Sequence, residues 1–524
     1  MSWIRSNWTR AAFWAAFVIV LALGVRLAVV NQWDGGWDST SNLVTTRNVA
    51  HGRGFTTDMV QDLVAPAPLP GPETVRTPGP VYLLAAVFKL AGESLGAQVL
   101  VNLATVLASA LLLRWAVRRI APPWLADFAG VLMLLANSNY RLIPFSNNDL
   151  LVLFTVCALC LAVKQWTGEW RPGTLALVAG VLTGVSFLTK QSYVLSMVPF
   201  TTLLVASDNR IRFGRRFGLL CVAGALVLLI TAVYWGPNMA RHGTPIYSPI
   251  QQLRLPLRYG TIPFVGYQRI PRFDVPAPTY GSMIASLGLH EVLRHELEVW
   301  RSLAPAAAER GFLVLLWAVT SLVFVTRRRL RLYALAATLL VAPIFDSVWW
   351  FPEGRYLYPV FPVAIFIAVL GTVGYLEVES SELTPRGRAR IRATFTALVL
   401  LISGAALLDA RWGWRSEFKG ARTPAPGWTA AVRRLPENAV VLTAWTPYVA
   451  WWGHRLAVME PWGTRADLEQ VVRLYHPTAY LAVEIEDTAS RAPFTPGELQ
   501  LVEQGPDWRL YNIVRPDAAA SRPR

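Results

Sequence analysis

The run AAFWAAFVIVLALGVRLAVV at residues 11–30 is followed at residues 33–55 by WDGGWDSTSNLVTTRNVAHGRGF. The first segment is apolar over about twenty residues, the length an α-helix needs to cross roughly 30 Å of hydrocarbon. It lacks a small-residue cleavage site and reads as a retained span. The second segment predicts a polar helix from Ser39 to His51, ended by Gly52. Asp38 therefore stands just past an opening transmembrane helix, at the start of a polar one. Two roles are open to it. An Asp ahead of a helix caps orphan N–H groups, whereas a carboxylate at a membrane surface can serve as a general base. Asp34, four residues earlier, competes for the second role.

Ten further apolar runs follow, near residues 95–113, 123–139, 149–163, 174–189, 191–206, 217–236, 311–326, 332–350, 359–376 and 393–409. The chain thus reads as a polytopic α-helical membrane protein with about 11 transmembrane helices. Basic clusters orient them. Arg5 and Arg10 precede the first span, Arg114, Arg118 and Arg119 follow the second, and Arg210, Arg212, Arg215 and Arg216 follow the sixth. Arg327, Arg328, Arg329 and Arg331 follow the eighth, and Arg386, Arg388, Arg390 and Arg392 precede the eleventh. The positive-inside rule puts all of them, and the N-terminus, on the cytoplasmic side. It also divides residues 174–206 into two helices with a tip near Lys190, since one long helix would place RIRFGRR outside.

The outward face then carries a first loop (31–94), tips near 140–148 and 190, a long loop (237–310), a tip at 351–358 and the C-terminal part. VYLLAAVFKLAG in the first loop is too short to span and is predicted to lie along the interface. Near residue 424 the composition changes. WTAAVRRLPENAVVLTAW reads as a helix then a buried strand, RADLEQVVRLYHPTAYLAVEI repeats that order, and DWRLYNIV adds a strand. The expected organisation is a transmembrane module over 1–410 with both outward loops, a small C-terminal extracytoplasmic α/β domain over 411–515, and a disordered tail at 516–524.

Bulk properties exclude other classes. The chain has 524 residues, 54% of them hydrophobic, so it is not a soluble domain. Its net charge of +16 sits in short clusters between apolar runs and reads as orientation signal and contact with membrane lipids. No nucleic acid partner is expected, because no basic soluble domain with stacking aromatics stands out. Cys157 and Cys160 are spaced CxxC, but both lie in an apolar run and read as small core residues on one helix face. No metal motif, glycine-rich phosphate loop or Ser-His-Asp signature appears. No cofactor is required; a dispersed carboxylate site for a divalent cation stays open.

The remaining candidates are outward-facing charges. Asp149 opens the fourth span after SNN, where an acid complements the helix dipole or faces a cavity. Lys190 ends the fifth span, where lysine snorkels or meets a phosphate. Arg355 and Tyr356 sit at an outward tip, against the positive-inside trend, and Arg76 lies in RTPGPVY. Phosphate contact explains such outward cations: lysine acts as a point charge, arginine as a fork.

These features resemble the GT-C membrane glycosyltransferases, in the branch with protein O-mannosyltransferases, the lipid A aminoarabinose transferase and related bacterial polyprenyl-phosphate-sugar enzymes. The first outward loop of that family tends to read D-x3-Y-x3-A-x-N-x3-G-x-G-F; here the spacing gives Asp38, Asn42, Thr46, Asn48, Gly52, Gly54 and Phe55, with Asn42 and Thr46 departing from the pattern. RTPGPVY (76–82), FSNNDLLVLF (145–154), GVLTGVSFLTK (180–190) and GRYLYPVFP (354–362) follow in the family's order. The resemblance implies a sugar moved from a polyprenyl-phosphate donor to a glycan, lipid or protein acceptor outside the inner (plasma) membrane, with inversion. It makes Asp38 the base, Lys190 and Arg355 phosphate contacts, and Asp149 a cavity residue. A flippase of lipid-linked sugars and a polysaccharide polymerase or ligase are the rival readings.

Overall fold

A computed structural model describes residues 2–60, 68–73, 76–137, 142–143, 147–246, 280–308, 312–349, 357–382, 384–461, 464–483, 492–495 and 497–514. Its principal elements in chain order begin with α1 (Ser2–Val30), α2 (Trp37–Ala50), β1 (Thr56–Thr57), β2 (Met59–Val60), β3 (Gly71–Pro72) and α3 (Pro78–Ala91). Next come α4 (Leu95–Arg118), α5 (Pro123–Asn137), α6 (Asn147–Thr167), α7 (Pro172–Thr189), α8 (Val194–Ala206), α9 (Phe213–His242), α10 (Tyr280–Leu287) and α11 (Leu289–Ala308). The helices α12 (Phe312–Ser321), α13 (Leu330–Thr338), α14 (Val341–Trp349), α15 (Val360–Glu382) and α16 (Pro385–Gly420) follow. The chain ends with α17 (Thr429–Arg433), β4 (Val440–Thr443), β5 (Leu456–Met459), α18 (Arg465–Tyr475), β6 (Ala479–Val483), β7 (Leu499–Gln504) and β8 (Trp508–Ile513). The predicted tail at 516–524 lies outside the described residues.

The chain forms two compact units: Met1–Asn31, Ser94–Pro245 and Glu296–Arg422 make the first, and Gln32–Glu93, Ile246–His295 and Thr423–Arg524 make the second. The first unit is helical and multi-pass. Among the described residues six helices are long and apolar enough to cross a membrane: Trp8–Val30, Leu95–Arg118, Asp149–Thr167, Pro172–Thr189, Phe213–Arg241 and Val360–Glu377. Helices in lipid gain little from apolar burial and associate by close van der Waals packing instead. Gly180, on α7, shows the requirement: a Cβ there would come within 2.9 Å of the Ala223 backbone on α9. The Arg114 guanidinium donates to Asp127 at 2.7 Å and lies 4.6 Å from the Phe13 ring centre, so the charge is paired where it is buried.

The apolar run at 332–350 is not one helix. It breaks into α13 and α14. Pro343 has no N–H to give the Leu339 carbonyl four residues back, so the ladder fails there. Ser196 of α8 repairs the break: its hydroxyl donates to Leu339 O at 3.2 Å and accepts from Ala342 N at 2.8 Å.

The second unit holds a six-stranded sheet in the order β2-β5-β4-β6-β8-β7. The first four strands in that order run parallel, while β8 is antiparallel to β6 and to β7. Its core joins Leu442, Val458, Leu468, Val471 and Tyr480. Strands β4, β6 and β8 fall in the segments read as strands from the sequence. Strand β5 is short and follows His454 in the left-handed region, β7 is a solvent-facing edge, and β2 comes from the first loop, pairing Met59 with Ala457 and Val60 with Val458. Helix α3 buries Val81, Leu84 and Phe88 and exposes Tyr82, Leu83 and Leu90.

Candidate functional site

Helix α2 presents Asp38 in its first turn. The cap position is Gly36, which has no side chain, so Asp38 does not occupy the N-cap. An acid in a first helical turn still gains from the dipole. Its partner is Arg76, whose two terminal nitrogens both donate to Asp38 Oδ1 at 3.1 Å. The carboxylate is 44% exposed and the guanidinium 15%, so the acid can meet a substrate while its cation is held by protein.

The return of Arg76 to α2 is built by backbone pairing. β1 and β3 pair antiparallel, Thr57 against Gly71, and Glu73 N donates to Phe55 O at 3.1 Å. Glu73 then clamps both sides: Oε1 accepts from Arg76 N at 3.0 Å and Oε2 from the Thr45 hydroxyl at 2.9 Å. Asp38 and Thr45 are seven residues apart, two helical turns, and so share a face.

The rest of the first-loop motif is scaffolding. Asn48 donates to Thr56 O at 3.1 Å and Asp58 Oδ1 at 2.9 Å. Gly52, at φ 78°, ends the helix in the region where a side chain is disfavoured. Phe55 stacks on Tyr82 at 6.0 Å.

Two further residues of this segment anchor α2, and only one was noticed in the sequence. Asp34 is 1% exposed and accepts from Gly36 N at 3.0 Å and from Trp452 Nε1 at 2.7 Å. Burial pushes its carboxyl above the usual range, with those hydrogen bonds opposing. Enclosed in this way, it ties the start of α2 to Trp452. Arg47 is buried and donates to Ala450 O at 2.7 Å, Trp451 O at 3.2 Å, Asp58 at 3.3 Å and His454 Nδ1 at 2.7 Å. Arginine can only donate, so Nδ1 is the acceptor and the imidazole is neutral. Burial first, then Arg47, Arg433 and Arg455, push the His454 pKa down to about 4.

In the helical unit Lys190 is the residue that ends α7, and its Nζ lies 2.7 Å from Asp346 Oδ2 of α14. No feature of the sequence singled out Asp346. Asp149 lies buried in the first turn of α6. Just before it, Leu142 O accepts from Asn102 at 2.9 Å and Ile143 N donates to Glu417 at 3.0 Å. Arg355 and Tyr356 lie outside the described residues. The structure thus brings Asp38 together with Arg76, and Lys190 with Asp346. Among the described residues no group of three or more His, Cys, Asp or Glu is placed to hold a metal ion. A hollow of about 540 Å³ lies beside α18, lined by Arg465, Arg473, His476, Phe494 and Glu498 among others, and by none of the residues picked out above.

Residues 75–235 match the family described as dolichyl-phosphate-mannose-protein mannosyltransferase. That stretch contains Arg76, Asp149 and Lys190 and starts beyond Asp38. No curated protein matches the chain by sequence. The solved structures similar in fold include three that differ in substrate. The oligosaccharyltransferase AglB from Archaeoglobus fulgidus, in complex with an inhibitory peptide and a dolichol-phosphate, is 14% identical over 90% of this chain and 69% of its own, with a TM-score of 0.58. ArnT from Cupriavidus metallidurans, bound to undecaprenyl phosphate, is 14% identical over 99% of this chain and 100% of its own, at 0.55. The arabinofuranosyltransferase AftD from Mycobacteria is 12% identical over 97% of this chain and 40% of its own, at 0.51. The chain has the fold of the GT-C membrane glycosyltransferases.

Proposed function

We propose that the protein is an integral-membrane glycosyltransferase. It moves a sugar from a polyprenyl-phosphate donor to a glycan, lipid or protein acceptor on the outer side of the inner membrane, with inversion. Asp38 takes the proton of the acceptor hydroxyl as its oxygen attacks the anomeric carbon. The C–O bond to phosphate breaks on the opposite face, and the electron pair leaves with the lipid phosphate. Lys190 and Arg355 meet the charge that grows on that phosphate. Tyr356 and Asp149 bind substrate, and Arg76 adds to the cationic surface while fixing Asp38. About eleven spans, a cytoplasmic N-terminus and an extracytoplasmic C-terminal α/β domain complete the arrangement.

The observation that carries this reading is Asp38 itself: a half-exposed carboxylate on a braced helix, forked by Arg76. The GT-C fold and the family match over residues 75–235 support it, as do the lipid phosphates bound by AglB and ArnT. The test uses the full-length protein in nanodiscs with a labelled undecaprenyl-phosphate sugar and envelope extract. Donor is expected to be consumed to undecaprenyl phosphate, with the opposite anomer in the product. Lipid that crosses the bilayer unconsumed would instead identify a flippase, and retained configuration would remove Asp38 from its single-displacement role.

A further inference from the structure

Lys190 and Asp346 form a tight pair in which the ammonium is 21% and the carboxylate 9% exposed. Both are tied to the same tip of the helical unit. Lys190 stands between α7 and α8. Asp346 lies one turn beyond Ala342, which the Ser196 hydroxyl of α8 holds at 2.8 Å. The Pro343 break therefore starts a new helix whose second turn delivers a carboxylate to Lys190.

We infer that Asp346 is the counter-ion that sets how tightly Lys190 holds lipid phosphate: it pairs with the ammonium when the phosphate is absent and yields it when the phosphate arrives. This rests on the reading of Lys190 as a phosphate contact. The donor is a phosphodiester with one negative charge. The product is a phosphomonoester with a second ionisation near pH 6, so it is nearer two. A partly buried ammonium with no counter-ion would grip the more charged product hardest, because Coulomb attraction scales with charge and is strong at low dielectric. Product release would then limit turnover. A carboxylate at 2.7 Å competes for the same cation and weakens that grip. Asp346 is thus a positioning residue that acts through Lys190.

The experiment measures undecaprenyl phosphate binding to the full-length protein in nanodiscs, together with steady-state kinetics. Asp346→Asn should bind undecaprenyl phosphate about tenfold tighter, with lower KM for the donor, lower kcat and stronger product inhibition. Asp346→Glu, which keeps the charge, should move binding and product inhibition back toward the wild-type values, and the Tm of each variant in nanodiscs checks folding. Unchanged or weaker binding by a folded Asp346→Asn, with Lys190→Met binding weakened, overturns the inference and leaves the parent reading standing. Lys190→Met binding as tightly as wild type overturns both.

Discussion

At the scale of single residues, the first-loop motif divides into one half-exposed acid and a set of residues that hold it. Asp38 is exposed where Asp34 is enclosed, although both are acids of one short loop. The sequence showed that two acids were present and that one opened a helix. It did not show which was buried, because that depends on Trp452, 418 residues away. Arg76 was visible in the sequence as a first-loop cation, but its grip on Asp38 depends on the β1–β3 pairing, two residues on each side, too short to leave a periodic signal. Arg76→Lys keeps the charge and loses the planar fork. It should lower kcat by about tenfold, the scale seen when a supporting contact is lost, with KM for the donor little changed. A comparable fall in donor affinity with kcat intact would instead make Arg76 chiefly a phosphate contact.

Individual elements follow hydropathy and proline placement. The tip at Lys190 was legible because charge bias required two helices across 174–206, and α7 and α8 occupy that stretch. The break between α13 and α14 was not, since an apolar run with one proline reads as continuous until a partner for the orphaned carbonyl is known. That partner is Ser196. Ser196→Ala leaves Leu339 O and Ala342 N without it and should destabilise the protein by about 1–3 kcal/mol, read as a lower Tm in nanodiscs. No change in Tm would mean that the backbone closes the gap alone. Arg47 has a sharper signature. Arg47→Ala leaves buried Asp58 with Asn48 and the more exposed Arg53, 3.6 Å away, and removes the donor to Ala450 O and Trp451 O; it should cost about 1–3 kcal/mol, with loss of protease resistance around α2.

For the whole molecule, the multi-pass class was legible from long apolar runs, since every backbone polar group in lipid must be satisfied within helices. The six-stranded sheet was only half legible, because a strand of two residues from the first loop completes its edge. The second unit also carries an acid-sensitive group, His454, whose Nδ1 lies 2.7 Å from the Arg47 guanidinium. His454 titrates near 6.5 when unfolded and near 4 when folded, so the unfolded chain binds the proton first. Its contribution to stability is complete above about pH 6.5, falls as pH drops toward 4, and changes no further below that. Solvent at the exposed imidazole reduces the size of the effect. Melting temperatures across pH 7 to 4 should therefore decline less steeply in His454→Asn than in wild type; parallel curves would assign the acid sensitivity to other groups.

The role assigned to Asp38 is removal of the acceptor proton. Single-turnover transfer from a labelled undecaprenyl-phosphate sugar, compared between wild type and Asp38→Asn in nanodiscs at equal Tm, isolates that step. A loss of about 10²–10⁴-fold in the rate of sugar transfer is expected, with undecaprenyl phosphate binding retained. Transfer by Asp38→Asn within about threefold of the wild-type rate would contradict it.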